Sequence, residues 1–322
     1  MYYRLANLLF LKAITPIHVG SGRGYGEVDL PIQKDSLGFP MIPSSSLKGS
    51  FKSHIWRSLS DGEKLAKIFF GPEPETAEEH FVGSVAILDA RLLYIPARSL
   101  KGLYCYITTP KLLESFNRLL EVARSLGCDI KGFEEFDRLL QLSRALKEDE
   151  ALTTLGGIEK LTLPLKEGTR GLVINEDFEF NAKQSEELLG FAQWLIGNKD
   201  EGDRLVVIPD HYSREVVSKS LLRRMRIRLL RGSKTVKPGG LWSEEDVPAD
   251  SCFYTLILYS RVALPEVEEG RHMELREKYG SWEVEDVKQA FEERVVKKLG
   301  YLILGGHETV GRGIVRLELM GG

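Results

Sequence analysis

Four glycines alternate with other residues in Gly20-Ser21-Gly22-Arg23-Gly24-Tyr25-Gly26, and a lone carboxylate follows in Val28-Asp29-Leu30-Pro31-Ile32-Gln33. Hydroxyls and a lysine come next, in Pro43-Ser44-Ser45-Ser46-Leu47-Lys48-Gly49. Glycines let backbone N–H groups approach an anion closely, and a helix N-terminus favours negative charge. In this order the three segments could hold a phosphate chain against a carboxylate. The glycine spacing is not G-x-G-x-x-G, no helix starts directly behind it, and no Walker lysine follows. Dinucleotide and P-loop readings therefore fail.

A second concentration of charge lies between Lys219 and Lys237, where Arg223, Arg224, Arg226, Arg228, Arg231 and Lys234 occur with no Asp or Glu among them. The whole chain has a net charge of −3, with acid gathered elsewhere, as at Glu266, Glu268 and Glu269. A local basic stripe on a mildly acidic protein suits a dedicated groove for a polyanion. The bland alternative is a solvated edge strand protected by charge. Other chemistry is thin. Cys105, Cys128 and Cys252 form no C-x-x-C pair, which argues against structural zinc and against a disulfide framework. His54, His80, His211, His272 and His307 show no metal-ligand spacing.

These groups need a scaffold, and 322 residues at 43% hydrophobic content are enough for a substantial core. No apolar run approaches the roughly 18–20 residues of a membrane span, and Leu8-Leu9-Phe10-Leu11 is too short for a signal-peptide core. The expected compartment is the cytoplasm. Leu5 to Ile14 predicts a strand with Leu9, Leu11 and Ala13 on one face. Leu47, Phe51, Ile55 and Leu59 predict a helix over 46–59, with Ser44 to Ser46 as candidate caps. Further helices are predicted from Thr109-Pro110, beyond Gly132 (Phe133, Phe136, Leu139, Leu140), over Ser185–Ile196, and from Val284 to Leu299. Strands are predicted at Val85–Asp89, Leu172–Ile174, Leu205–Ile208 and Arg223–Arg231. The last alternates Met225, Ile227 and Leu229 with Arg224, Arg226 and Arg228. Phe253–Ser260 is its expected partner, with residues 232–251 projecting between them. The chain closes with a strand, a glycine loop and a strand from Gly313 to Leu319.

Several separated segments carry a resemblance. They are Thr15-Pro16-Ile17-His18-Val19-Gly20 with Val28-Asp29-Leu30-Pro31-Ile32-Gln33, and Gly38-Phe39-Pro40 through Ser46-Leu47-Lys48-Gly49. With them go Pro96-Ala97-Arg98-Ser99-Leu100-Lys101-Gly102, and the tail Leu304-Gly305-Gly306-His307-Glu308-Thr309-Val310-Gly311-Arg312-Gly313. Lys234–Lys237 to Pro248–Asp250 fits less well. In this order they resemble the backbone subunit of the Cmr complex, the type III-B CRISPR effector, within the RAMP superfamily of RNA-binding proteins. The resemblance implies a single α+β RAMP domain over residues 1–322 with a ferredoxin-like, RNA-recognition-type core. It also implies helical insertions at about 103–200 and a projecting β-hairpin thumb at about 232–251.

The resemblance also implies roles. Asp29 stands where the family's aspartate is implicated in cutting target RNA. An ordinary Asp titrates roughly three pH units below neutrality and is a poor general base. Holding a divalent cation (Mg or Mn) at the ribose 2′-OH or the phosphorane is the better task. His18 is a candidate acid or base. Glu244 and Glu245 are candidates to assist Asp29 from a neighbouring subunit, and Trp242 to stack on a base. Asp246 replaces a tyrosine usual in the family. Ser46, Lys48, Gly49, Arg98, Lys101, Arg224, Arg226, Arg228, Gly305, Gly306, Gly311 and Arg312 are expected to line the RNA backbone. The expected partners are CRISPR RNA, complementary target RNA, further copies of this chain in a helical backbone, and other Cmr-complex subunits, with no membrane. The expected function is guide-directed endoribonuclease action on target RNA, one cut per subunit at regular intervals. The alternatives are a non-catalytic RNA-coating scaffold and a guide-processing endoribonuclease of the same superfamily.

Overall fold

The computed structural model describes residues 2–24, 26–73, 81–130, 136–165, 168–265 and 273–320. Its first strand, Leu5–Ala13, lies inside a sheet of 13 strands and is hydrogen-bonded on both edges. Ile314–Met320 and Cys252–Tyr259 flank it, and Ala90–Ser99 pairs with the far side of Cys252–Tyr259, every neighbour antiparallel. The alternation expected of Leu5–Ala13 is absent, because Ala6, Leu8, Leu9, Phe10 and Leu11 are all buried. Helices cover both faces of the sheet, and a strand covered on both faces reads as a continuous apolar run. Leu9 and Leu11 join a core with Phe51 and Phe291, from helices Ser44–Ser58 and Val284–Phe291. Leu8 and Phe10 join a second core with Phe116 and Phe191, from helices Pro110–Ser125 and Glu186–Ile196.

Beyond Ala90–Ser99 the sheet continues through Leu103–Thr108, Leu205–Val207, Glu150–Thr153, Phe178–Gln184, Arg170–Ile174 and Thr162–Pro164. The region read as helical insertions thus supplies strands as well as helices. Two of the predicted helix starts carry side-chain caps: Thr109 Oγ1 accepts from the Leu112 amide and Ser185 Oγ from the Leu188 amide. The serine cap predicted for the first helix does not form. The residue before that helix is Pro43, and the Ser44 amide donates to Asp89 Oδ1 at 2.7 Å. A carboxylate 45 residues away thus satisfies an N-terminal donor that local pattern assigned to a serine. The late helix is interrupted, since Val284–Phe291 runs on into a π-helical turn at Glu292–Lys297. Phe136–Arg144 forms the helix expected beyond Gly132. Gly132, Phe133 and the acidic group Glu266, Glu268 and Glu269 lie outside the described residues, as do Tyr25, His80 and His272.

The pairing predicted for the basic strand is wrong. Leu222–Leu229 pairs with Val236–Asp246 in a separate two-stranded sheet, while Cys252–Tyr259 belongs to the large one. Burial explains the choice: Cys252–Tyr259 is almost wholly buried, and the hairpin strands are mostly exposed. A turn closes the hairpin locally, with the Leu230 amide donating to the Thr235 carbonyl and Lys234 in the left-handed region at φ 52°. Met225, Ile227 and Leu229 lie on its open face, 65%, 54% and 48% exposed. Among the described residues no helix is long and apolar enough to cross a membrane.

Two glycines of the C-terminal loop take left-handed backbone conformations, and one of them meets the N-terminal segment. Gly305, at φ 79°, forms a bridge with His18, and a Cβ there would stand 2.2 Å from the His18 carbonyl oxygen. Gly311 has a similar φ of 78° but open space around it. Gly311→Ala is expected to cost about 1 kcal/mol from backbone strain alone, and Gly305→Ala distinctly more, about 3 kcal/mol. Urea denaturation of the two variants checks this, and equal losses would refute the close-approach account.

Candidate functional site

The glycine run folds back on the segment that follows it. The Gln33 amide donates to Val19 and the Gly24 amide to the Asp29 carbonyl, so the chain reverses with Asp29 in the returning limb. Gly24 is required by contact, because a Cβ there would lie 2.7 Å from the Val28 carbonyl oxygen. Asp29 is exposed. Its Oδ2 accepts from the Ser243 amide at 2.8 Å and from Ser243 Oγ at 2.9 Å. Those two bonds hold the Asp29 carboxyl below the ordinary aspartate range. The attachment continues, since the Leu30 amide donates to the Ser243 carbonyl and the Glu245 amide to the Leu30 carbonyl. The Asp29 loop is therefore a short parallel addition to the base of the hairpin.

Glu244, Glu245 and Asp246 follow, all three buried. Glu244 and Asp246 share one face of the strand, and Glu245 points to the other. Arg312, 3% exposed, comes in from the C-terminal glycine loop. Its Nη1 lies 2.8 Å from Asp246 Oδ1 and 2.7 Å from Glu244 Oε2. Its N–H is aligned as a hydrogen bond only toward Asp246. Trp242 Nε1 donates to Glu244 Oε1 at 2.8 Å, and His307 Nε2 stands 3.6 Å from the same oxygen. Burial raises the Glu244 pKa, but the hydrogen bond from Trp242 and the adjacent Arg312 cation outweigh it and leave the group below its ordinary value. Glu245 pairs with Lys34 at 2.9 Å.

His18 completes the cluster. Its Nδ1 lies 2.7 Å from the Glu245 carbonyl oxygen and 3.5 Å from Asp246 Oδ1. A carbonyl only accepts, so Nδ1 carries the proton in either charge state, and Nε2 is the nitrogen that titrates. The bond to Asp246 raises the His18 pKa against the opposing effect of burial. The His307 ring meets His18 edge-on at 4.9 Å, and burial pushes its pKa down.

Contacts thus gather Asp29, His18, Trp242, Glu244, Glu245, Gly305 and Arg312 around the hairpin base. The expected RNA-facing arginines turn partly inward. Arg224 Nε is 3.7 Å from Asp246 Oδ2, and Arg226 Nε is 3.6 Å from Glu244 Oε2. Arg228 is exposed farther out on the hairpin. Ser46, Lys48 and Gly49 lie in the first two turns of helix Ser44–Ser58. Burial, then Lys52, lowers the Lys48 pKa. Lys101 does not open a helix as Lys48 does. It lies in the turn between Ala90–Ser99 and Leu103–Thr108, where its ammonium donates to the Glu159 and Thr162 carbonyls. Arg98 nearby is exposed, 3.7 Å from Glu176. Sequence reasoning missed Ser243, Lys34 and His307 as members of the cluster. Asp246, read only as a departure from a tyrosine, is a buried acid neutralised by Arg312. The acid run Glu244-Glu245-Asp246 ahead of Val247 was the one available signal.

The chain matches the RAMP superfamily over residues 10–316. The Cmr endoribonuclease Cmr4 of Pyrococcus furiosus is 34% identical, over 98% of this chain and 95% of that protein. A subunit of the type III-B Cmr-beta complex, solved by cryo-EM bound to cognate target RNA, has 30% identity and a TM-score of 0.71, covering 99% of this chain and 98% of its own. Oligomeric Cmr4 from Pyrococcus furiosus gives a TM-score of 0.62 at 26% identity, covering 98% of each chain. This chain belongs to the RAMP superfamily and, within it, to the Cmr4 family.

Proposed function

We propose that this chain is a backbone subunit of a type III-B effector. Copies of it line up along a CRISPR RNA beside other Cmr-complex subunits, and Asp29 of each copy promotes one cut in complementary target RNA. The observation that carries this reading is the placement of an exposed carboxylate against the base of a projecting hairpin. The printed descriptions of the similar proteins, an endoribonuclease, a target-RNA complex and an oligomer, support it. The core follows a ferredoxin-like chain order: Leu5–Ala13, helix Ser44–Ser58, Ala90–Ser99, Cys252–Tyr259, helix Val284–Phe291, Ile314–Met320. The thumb is the hairpin of Leu222–Leu229 and Val236–Asp246.

Met225 lies directly opposite Ser243 in the hairpin register, and Ile227 opposite Leu241. Asp29 therefore stands beside an exposed apolar surface. Apolar side chains accept a base face but offer no pairing partner, so a guide–target duplex meeting this surface opens there. A displaced nucleotide can bring its 2′-oxygen in line with the adjacent phosphorus and the departing 5′-oxygen, a geometry that a stacked helix denies. Asp29 keeps its charge at neutral pH and can accept a hydrogen bond from the 2′-hydroxyl, which orients that oxygen for attack. Ser46, Lys48 and Gly49 would meet guide phosphates at the helix start.

A divalent cation, Mg or Mn, would supply Lewis-acid stabilisation of the phosphorane. Among the described residues no group of three or more His, Cys, Asp or Glu side chains is arranged to hold a metal ion, and Asp29 is the carboxylate that would serve as a protein ligand. One carboxylate plus substrate phosphates and water is an ordinary arrangement for Mg.

Asp29→Ala in an assembled complex is expected to abolish target cleavage while guide and target affinities stay within a few-fold. The measurement is a gel of labelled complementary RNA, with and without chelator. A regularly spaced ladder that Asp29→Ala erases supports the reading, an unaltered ladder refutes the assignment of Asp29, and no product from the native complex supports a scaffold. A single cut within guide precursor would indicate a processing enzyme. The junction at the hairpin base is tested separately. Arg312→Ala leaves two buried carboxylates without their cation and is expected to cost about 3–5 kcal/mol. Adding Glu244→Gln and Asp246→Asn should recover part of that loss in urea denaturation.

A further inference from the structure

Ser243 belongs to none of the expected roles, yet it makes more contacts with the Asp29 loop than any acid of the cluster. Its backbone amide and its hydroxyl both donate to Asp29 Oδ2, at 2.8 and 2.9 Å. The same hydroxyl oxygen accepts from the Asp29 amide at 2.9 Å, and the Ser243 carbonyl accepts from the Leu30 amide at 3.0 Å. Donor and acceptor of one hydroxyl are thus used on one residue. With Oδ2 tied to the hairpin by two donors, rotation of the carboxylate is restricted and Oδ1 is the oxygen left to face a substrate.

We propose that Ser243 is a positioning residue for target cleavage: its hydroxyl clamps Asp29 so that the carboxylate moves with the hairpin and presents Oδ1 to the displaced nucleotide. The clamp makes seating of the hairpin and placement of the carboxylate one event. A hairpin that has not entered the duplex leaves Asp29 off the reacting 2′-hydroxyl. Neither partner transfers a proton to the other, so the contribution is geometric. Displacements of about 1 Å at a reacting group cost on the order of 100-fold in rate. The proposal rests on the reading of Asp29 as the residue that promotes cleavage.

The test compares Ser243→Ala, Ser243→Thr and Asp29→Asn in assembled complexes with guide RNA, measuring target Kd and the single-turnover cleavage rate separately. Ser243→Ala is expected to slow cleavage about 10- to 100-fold at unchanged target Kd. Ser243→Thr, which keeps the hydroxyl and suits a strand, is expected to restore the rate to within about threefold. Asp29→Asn is expected to be inactive. If Asp29→Asn cleaves normally, the underlying reading of Asp29 fails. If Asp29→Asn is inactive and Ser243→Ala cuts at the native rate, the clamp is refuted and the Asp29 reading stands. A slow Ser243→Ala that Ser243→Thr does not rescue, or one whose target Kd weakens in step with the rate, makes Ser243 a structural residue and also overturns the proposal.

Discussion

Arg312 inserted between Glu244 and Asp246 is the contact on which the other arrangements depend. Two carboxylates two residues apart on one strand face the same side, and both are buried. Buried like charges repel, and each loses its hydration, so the strand could not sit here without a cation. Arg312 supplies that cation from the far end of the chain. Arg224 and Arg226 add charge from the facing strand without hydrogen-bond geometry. The anchoring is better understood as specificity than as net stability, since buried ion pairs seldom outperform apolar packing. What it specifies is the meeting of three segments distant in sequence: the His18 segment, the hairpin base and the C-terminal glycine loop.

The contrast with Asp29 is physical. Its neighbours along the hairpin strand are neutralised and withdrawn from solvent, whereas Asp29 keeps its charge at the surface, stabilised by two donors from Ser243. Burial and pairing fit Glu244 and Asp246 to support. Exposure with fixed orientation is what the role proposed for Asp29 requires. Glu245 belongs with the supports, held by Lys34 on the opposite face of the strand.

Much of the α+β scaffold was legible because its elements follow local rules. Leu47, Phe51 and Ile55 mark the first helix, Thr109-Pro110 and Ser185 mark two helix starts, and the Met225/Arg226 alternation marks a strand. What was misread depended on remote partners. The cap of the first helix comes from Asp89, and the even burial of Leu5–Ala13 comes from helices on both faces. The partner of Leu222–Leu229 was set by which candidate strand the large sheet would bury.

At the site, residue types and spacing alone determined that a flexible glycine loop, a single loop carboxylate and a hydroxyl-lysine helix start lie in succession. Side-chain chemistry and backbone freedom are properties of the residues themselves, so these features survive without a fold. Only the tertiary structure decided that Glu244 and Asp246 are sequestered while Asp29 is presented, that Arg224 and Arg226 turn toward buried acid, and that Ser243 holds the Asp29 carboxylate. Those outcomes depend on desolvation and on hydrogen bonds between residues more than 200 positions apart, such as Ser243 and Asp29. No local pattern encodes such a distance.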